Sequence, residues 1–256
     1  MFTFLLSVHI FILIIAVIII LLLAYKPFKE LFFATDDSIN PPLTRDDFFQ
    51  KFEDTVNQLE ETEKSKRWKE LIDKAWNIRS FEIELFWKRT NFYWLFQAAT
   101  FTAYFLLSSR AEIQSFHQSF VVICLGIIFS VSWILINKGS KQWQEHWEAY
   151  IDLFEDKYYG PIYKTVAMQK THSVSKINEL VSITVLGVWS VFFIEFLSRT
   201  NICPLLFCED KFNPVISYTI LFTILMILSL TKGYGKSIIT KSKQLEFYSR
   251  DSKYKS

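Results

Sequence analysis

Cysteine, glycine, proline and histidine are all scarce in this chain, and each scarcity closes off a class of protein. Three cysteines among 256 residues make neither a disulfide scaffold nor a zinc cluster. Six glycines and six prolines leave little room for disordered linkers. The four histidines, His9, His117, His146 and His172, fall in different segments, and no two have metal-ligand spacing. His146 lies between Trp143 and Trp147 and reads as a packed side chain. The net charge of +2 gives no global field to recommend nucleic acid as a partner. A glycine-rich phosphate loop and a nucleophile elbow are both missing. The acid pairs Glu82 with Glu84 and Glu145 with Glu148 are helical neighbours without a pocket, so they read as solvated or paired. No catalytic residue, metal ligand or cofactor is therefore expected.

Apolar residues are what the chain has in plenty: 51% of it is hydrophobic and its mean hydropathy is +0.20. That is too apolar for an ordinary soluble domain and too charged for a chain that is only membrane. The pattern predicts an all-α, polytopic membrane protein with about five transmembrane helices and a helical cytosolic layer. Residues 1–25 form the first span, with no Lys or Arg at its start and no cleavage pattern. Residues 26–91 are a cytosolic helical insert with 12 basic and 14 acidic residues. Residues 92–137 are a transmembrane hairpin, and 138–178 a cytosolic amphipathic helix and connection. A second hairpin occupies 179–231, with an outer loop at 198–213, and 232–256 is a basic cytosolic tail.

The first hairpin has apolar runs at Phe92–Ser108 and Ser119–Asn137, long enough for the hydrocarbon core at about 1.5 Å of rise per residue. Small residues at Ala99 and Ala103, and at Gly126 and Ser130, predict a close helix-packing seam, Ala99 level with Ser130 and Ala103 with Gly126. Charge sets the threading. Of 28 Lys and Arg, 25 lie in the insert, the 138–178 connection and the tail. Basic loops stay in the cytosol, so the N-terminus is expected outside and the C-terminus inside. Cys203 and Cys208 then face an oxidising compartment and are expected to form a disulfide, while Cys124 sits mid-span as a thiol.

Two aromatic stripes need cover. Trp143, Trp147, Tyr150, Ile151 and Phe154 share one helical face, opposite Lys141, Glu145, Glu148, Asp152 and Glu155. Anionic lipid repels such acids, so protein is expected to cover this face. Trp68 to Trp76 in the insert supplies a matching stripe, with Lys69, Lys74 and Arg79 nearby, and a neighbouring subunit is the other candidate. Thr44 with Asp46 and Asp47 reads as a helix start, and Gly160-Pro161 as a stop.

The blocks E-L-F-W-K-R-T-N-F-Y-W, G-S-K-x-W-x-x-x-W-E-A-Y-I-D, G-P-I-Y-K and S-V-S-K-I-N, within Lys74 to Phe193, resemble the RipA family of octameric bacterial inner-membrane proteins. The resemblance implies an octamer in the bacterial cytoplasmic membrane and implies no reaction. Three readings follow. One is a non-enzymatic scaffold whose cytosolic helices bind a protein partner, with membrane lipid and further copies of itself around it. The next is an oligomeric pore lined by Ser130, Ser182 and Thr223. The last is a membrane enzyme acting on lipid.

Overall fold

The structure, a computed structural model, describes residues 44–56, 60–110, 113–158, 160–163, 165, 172–199 and 213–232. The described residues form five helices: α1 (Arg45–Val56), α2 (Glu61–Ser108), α3 (Ile113–Tyr158), α4 (Val174–Arg199) and α5 (Pro214–Lys232). The expected span at residues 1–25, Cys203 and Cys208 with their outer loop, and the basic tail lie outside the described residues.

Local chemistry sets the helix ends. At α1, Thr44 Oγ1 accepts from Asp47 N at 3.2 Å, and Asp47 Oδ2 accepts from Thr44 N at 3.2 Å. That reciprocal cap satisfies two donors that the first turn cannot pair for itself. Thr44 Oγ1 also donates to Asp47 Oδ2 at 2.6 Å, and that bond first, then the one from Thr44 N, holds the Asp47 carboxyl below its ordinary pKa. Beyond α3, Gly160 takes φ +72°, a left-handed conformation, and its N donates to Glu155 O at 2.9 Å. Glycine alone adopts that backbone without a steric cost. At α5, Pro214 opens the helix while Asn213 Oδ1 accepts from Val215 N and Ile216 N.

Among the described residues, three helices are long and apolar enough to cross a membrane, within Ser115–Glu155 of α3, Val174–Arg199 and Pro214–Thr231. The first run of the expected hairpin, 92–108 in α2, is diluted by Tyr93, Trp94, Gln97, Thr100, Thr102 and Tyr104. It continues without a break from the charged segment before it, since α2 is 48 residues long.

The chain divides into two compact units. An apolar unit holds residues 88–108 of α2, 113–138 of α3, and α4 and α5. Its core packs Phe120, Ile123, Cys124, Trp189, Phe196 and Ile216. An aromatic unit holds α1, residues 61–87 of α2 and 139–158 of α3, with the turn at 160–163. Its core packs Phe48, Phe49, Ile72 and Phe154, with Phe52, Trp68, Tyr150 and Leu153 against them.

Candidate functional site

In the apolar unit, α2 turns Thr90, Gln97 and Thr100 inward at helical spacing, and all three are buried. Gln97 is the hub. Its Nε2 donates to Ser130 Oγ at 2.9 Å and to Gly126 O at 3.4 Å, while its Oε1 accepts from Trp189 Nε1 at 2.7 Å. Ser130 Oγ in turn donates to Gly126 O at 2.7 Å. A fully bonded amide in a low-dielectric interior fixes which helix faces meet, because any rotation leaves a polar group bare.

Gly126 has a steric task as well. A Cβ built there would overlap the Trp189 indole at Cε2 and Cδ2, so only glycine lets that ring lie on the α3 backbone. The indole also stacks on Phe101, ring centroids 4.4 Å apart, and meets Tyr104 edge-on at 5.9 Å.

This geometry corrects the expected small-residue seam. Gly126 and Ser130 are buried, but Ala99 is exposed and Ala103 half-buried. Gln97, not Ala99, stands level with Ser130. Two residues along an α-helix are about 200° apart, so turning Gln97 inward turns Ala99 outward. The need to pair the amide outweighs the gain from close approach at alanine.

A further polar layer lies along the same helices. Asn178 Nδ2 donates to Thr90 Oγ1 at 3.2 Å and to Asn137 Oδ1 at 3.0 Å. One turn of α3 away, the Trp133 ring lies parallel to Tyr93 at 6.3 Å and edge-on to Trp94 at 5.3 Å. The hydroxyl residues named for a pore lining all pack inside the unit. Ser130, Ser182 and Thr223 are buried within the protomer, and their hydroxyls donate to Gly126 O, Glu179 O and Thr219 O. A cleft of about 250 Å³ lies in the same unit, walled by Tyr104, Phe116, Phe192 and Phe196, with Arg110 and Arg199 beside it.

In the aromatic unit, the face after Trp143 finds much of its cover within the chain. Ile151 and Phe154 are buried. Phe154 meets Phe48 at 5.7 Å, Phe52 at 5.2 Å and Trp68 at 6.0 Å. Tyr150 meets Phe48 at 5.3 Å. Phe48 and Phe52 of α1 and Trp68 of the insert stripe thus converge on the one face. Trp143 and Trp147 are only half-buried, and His146 packs between them with centroids 5.4 Å from each.

Of the three bases expected to meet the acids, Arg79 does so. Its guanidinium donates from Nε and Nη2 to Glu148 Oε1, at 3.4 and 3.2 Å. Lys69 and Lys74 are exposed. The Arg79 guanidinium also lies 5.5 Å from the Trp76 ring and 5.0 Å from that of Tyr163, which pack edge-on at 5.5 Å. Sequence reasoning did not single out Tyr163. Burial, then the neighbouring Glu148 carboxylate, push its phenol up to about 12. Glu155 is buried and accepts from Tyr163 N at 2.6 Å, which ties the 160–163 turn to the end of α3. These contacts hold α2, α3 and the 160–163 turn together through aromatic faces and a paired guanidinium.

The octameric membrane protein family (8xMP) matches residues 69–198, which take in most of α2, all of α3 and nearly all of α4. No curated protein and no solved structure matches the chain.

Proposed function

The chain belongs to the octameric membrane protein family, and from that premise we propose a non-enzymatic scaffold that carries its aromatic unit on the cytosolic side of a bacterial cytoplasmic membrane. Five spans thread it, the first at residues 1–25 and the second at 92–108 of α2, with the N-terminus outside. The balance of 25 basic residues against three supports that threading. Copies threaded one way round are related by rotation about the membrane normal, since an in-plane two-fold would invert half of them. Eight such copies close as a ring through one repeated head-to-tail contact.

One observation carries the scaffold reading. The aromatic unit buries Phe48, Phe49, Ile151 and Phe154 in a core of its own, yet keeps Trp76, Trp143 and Trp147 at least partly open at its surface. Tryptophan anchors of this kind dominate protein contacts, and a ring of eight repeats them around one axis. The occupants are the adjacent subunit and a cytosolic protein partner. Membrane lipid surrounds the spans, and no cofactor or nucleic acid takes part.

The hydroxyls bonded back onto their own helices at Ser130, Ser182 and Thr223 weigh against the pore reading. Purified octamer in a planar bilayer tests the choice. The scaffold gives a silent bilayer across the physiological voltage range. Steady single-channel currents that vanish with heat-inactivated protein would replace it with a pore.

A further inference from the structure

Two N–H groups in the apolar unit stand out against an otherwise well-paired interior. The Trp133 side chain is 0% exposed and its indole Nε1 has no hydrogen-bond partner. Asn137 is 4% exposed, and its Nδ2 likewise has none. Roughly nine in ten buried polar groups find a partner, so two orphans one helical turn apart on α3 call for a shared cause.

Their neighbours define where both sit. Trp133 lies against Tyr93 and Trp94 of α2. Asn137 meets Asn178 of α4, which also holds Thr90 of α2. Both donors therefore occupy the layer between α3 and residues 90–94 of α2, with Asn178 closing one side. With Asn178 Nδ2 donating to Thr90 Oγ1 and to Asn137 Oδ1, turning the Asn137 amide over by itself would set two NH2 groups against each other.

The missing acceptor must be small, neutral and enclosed. Lipid and neighbouring copies do not reach side chains this deeply buried. An anion would lose its hydration for a lining that is neutral at Thr90, Asn137 and Asn178. Water fits: its two lone pairs match two N–H donors, and one of its protons can go to the spare lone pair on Thr90 Oγ1.

We propose that the apolar unit holds an internal water between α2 and α3, accepting from Trp133 Nε1–H and Asn137 Nδ2–H. The polar column from Asn178 to Gln97 is then wet at its Asn178 end. It is dry beyond Gln97, where Phe101, Tyr104 and Phe192 close around Trp189.

The protein carries its own control for this site. Trp189 is also 0% exposed, but its indole N–H is taken by Gln97 Oε1. The test is water-edited nitrogen–proton solid-state NMR on the full-length octamer in lipid bilayers, the indole lines assigned by sequential correlation. The Trp133 line is expected to gain water polarisation severalfold faster than that of Trp189. Equal, slow build-up of the two lines would overturn the proposal. In Asn137→Leu, of the same branched shape but without the second donor, the Trp133 rate is expected to fall to that of Trp189. An unchanged Trp133 rate in that variant would overturn the shared water. Should the variant fail to insert, the wild-type comparison decides alone.

Discussion

In the apolar unit the most deeply buried side chains include Thr90, Gln97, Ser130 and Ser182, whereas the aromatic unit buries Phe48, Val56, Ile151 and Phe154. The difference follows from the solvent each is read as meeting. Between helices in lipid, apolar burial gives little net attraction, so small residues and hydrogen bonds must specify which faces meet. Against water, each large apolar side chain brought inside is worth about 1.5–3 kcal/mol, and aromatic rings can hold a core unaided. One chain thus uses two kinds of glue, with α2 and α3 each supplying residues to both units.

The largest expected effect falls on the aromatic unit. Phe154→Ala removes the ring shared by Phe48, Phe52 and Trp68 and should cost about 3–5 kcal/mol. Hydrogen exchange should show the amides of α1 losing protection while those of residues 90–108 keep theirs. Loss of protection in both at once would erase the distinction between the units.

A smaller effect is expected in the apolar unit. Gln97→Leu leaves the Trp189 indole N–H without an acceptor in a buried site, at a cost of about 1–3 kcal/mol. The thermal midpoint of the detergent-solubilised octamer reads it. A variant as stable as the wild type would mean that packing, not the amide, specifies this unit too.

The smallest is a pH effect confined to the aromatic unit. The Tyr163 phenol titrates near 12 in the fold, above its ordinary 10. The unfolded chain therefore releases that proton first as pH rises. Its contribution is complete below pH 10 and is lost between 10 and about 12. Tyr163→Phe should flatten the stability profile across that window, and an unchanged profile would remove the phenol from the account.

What was legible in the sequence was local. Thr44 with Asp47, Gly160 and Pro214 each act through their own backbone within a few residues, so the helix ends could be read directly. The aromatic face from Tyr150 to Phe154 was legible too, because its periodicity is strong and its cover lies in the stripes at Phe48–Val56 and Trp68–Ala75. The apolar unit was harder. Gln97 is an amide within an apolar run, and its partner Trp189 lies 92 residues away. Asn178 read as the end of a connection. Its helical spacing with Ser182, Trp189 and Phe196, the buried residues of α4, was the available signal. The alanines misled because composition alone does not say which face of a helix turns inward.

The indole seated on Gly126 has a consequence for the whole lineage. Both positions fall inside the matched segment 69–198. A methyl group added at the first has no room while the second carries tryptophan, so the glycine cannot drift while the indole stays. Relatives with a larger residue at the glycine should carry a narrower one at the indole. The two sites are then a single heritable character written in two places, and their joint variation would date the moment at which a branch of the family repacked its interior.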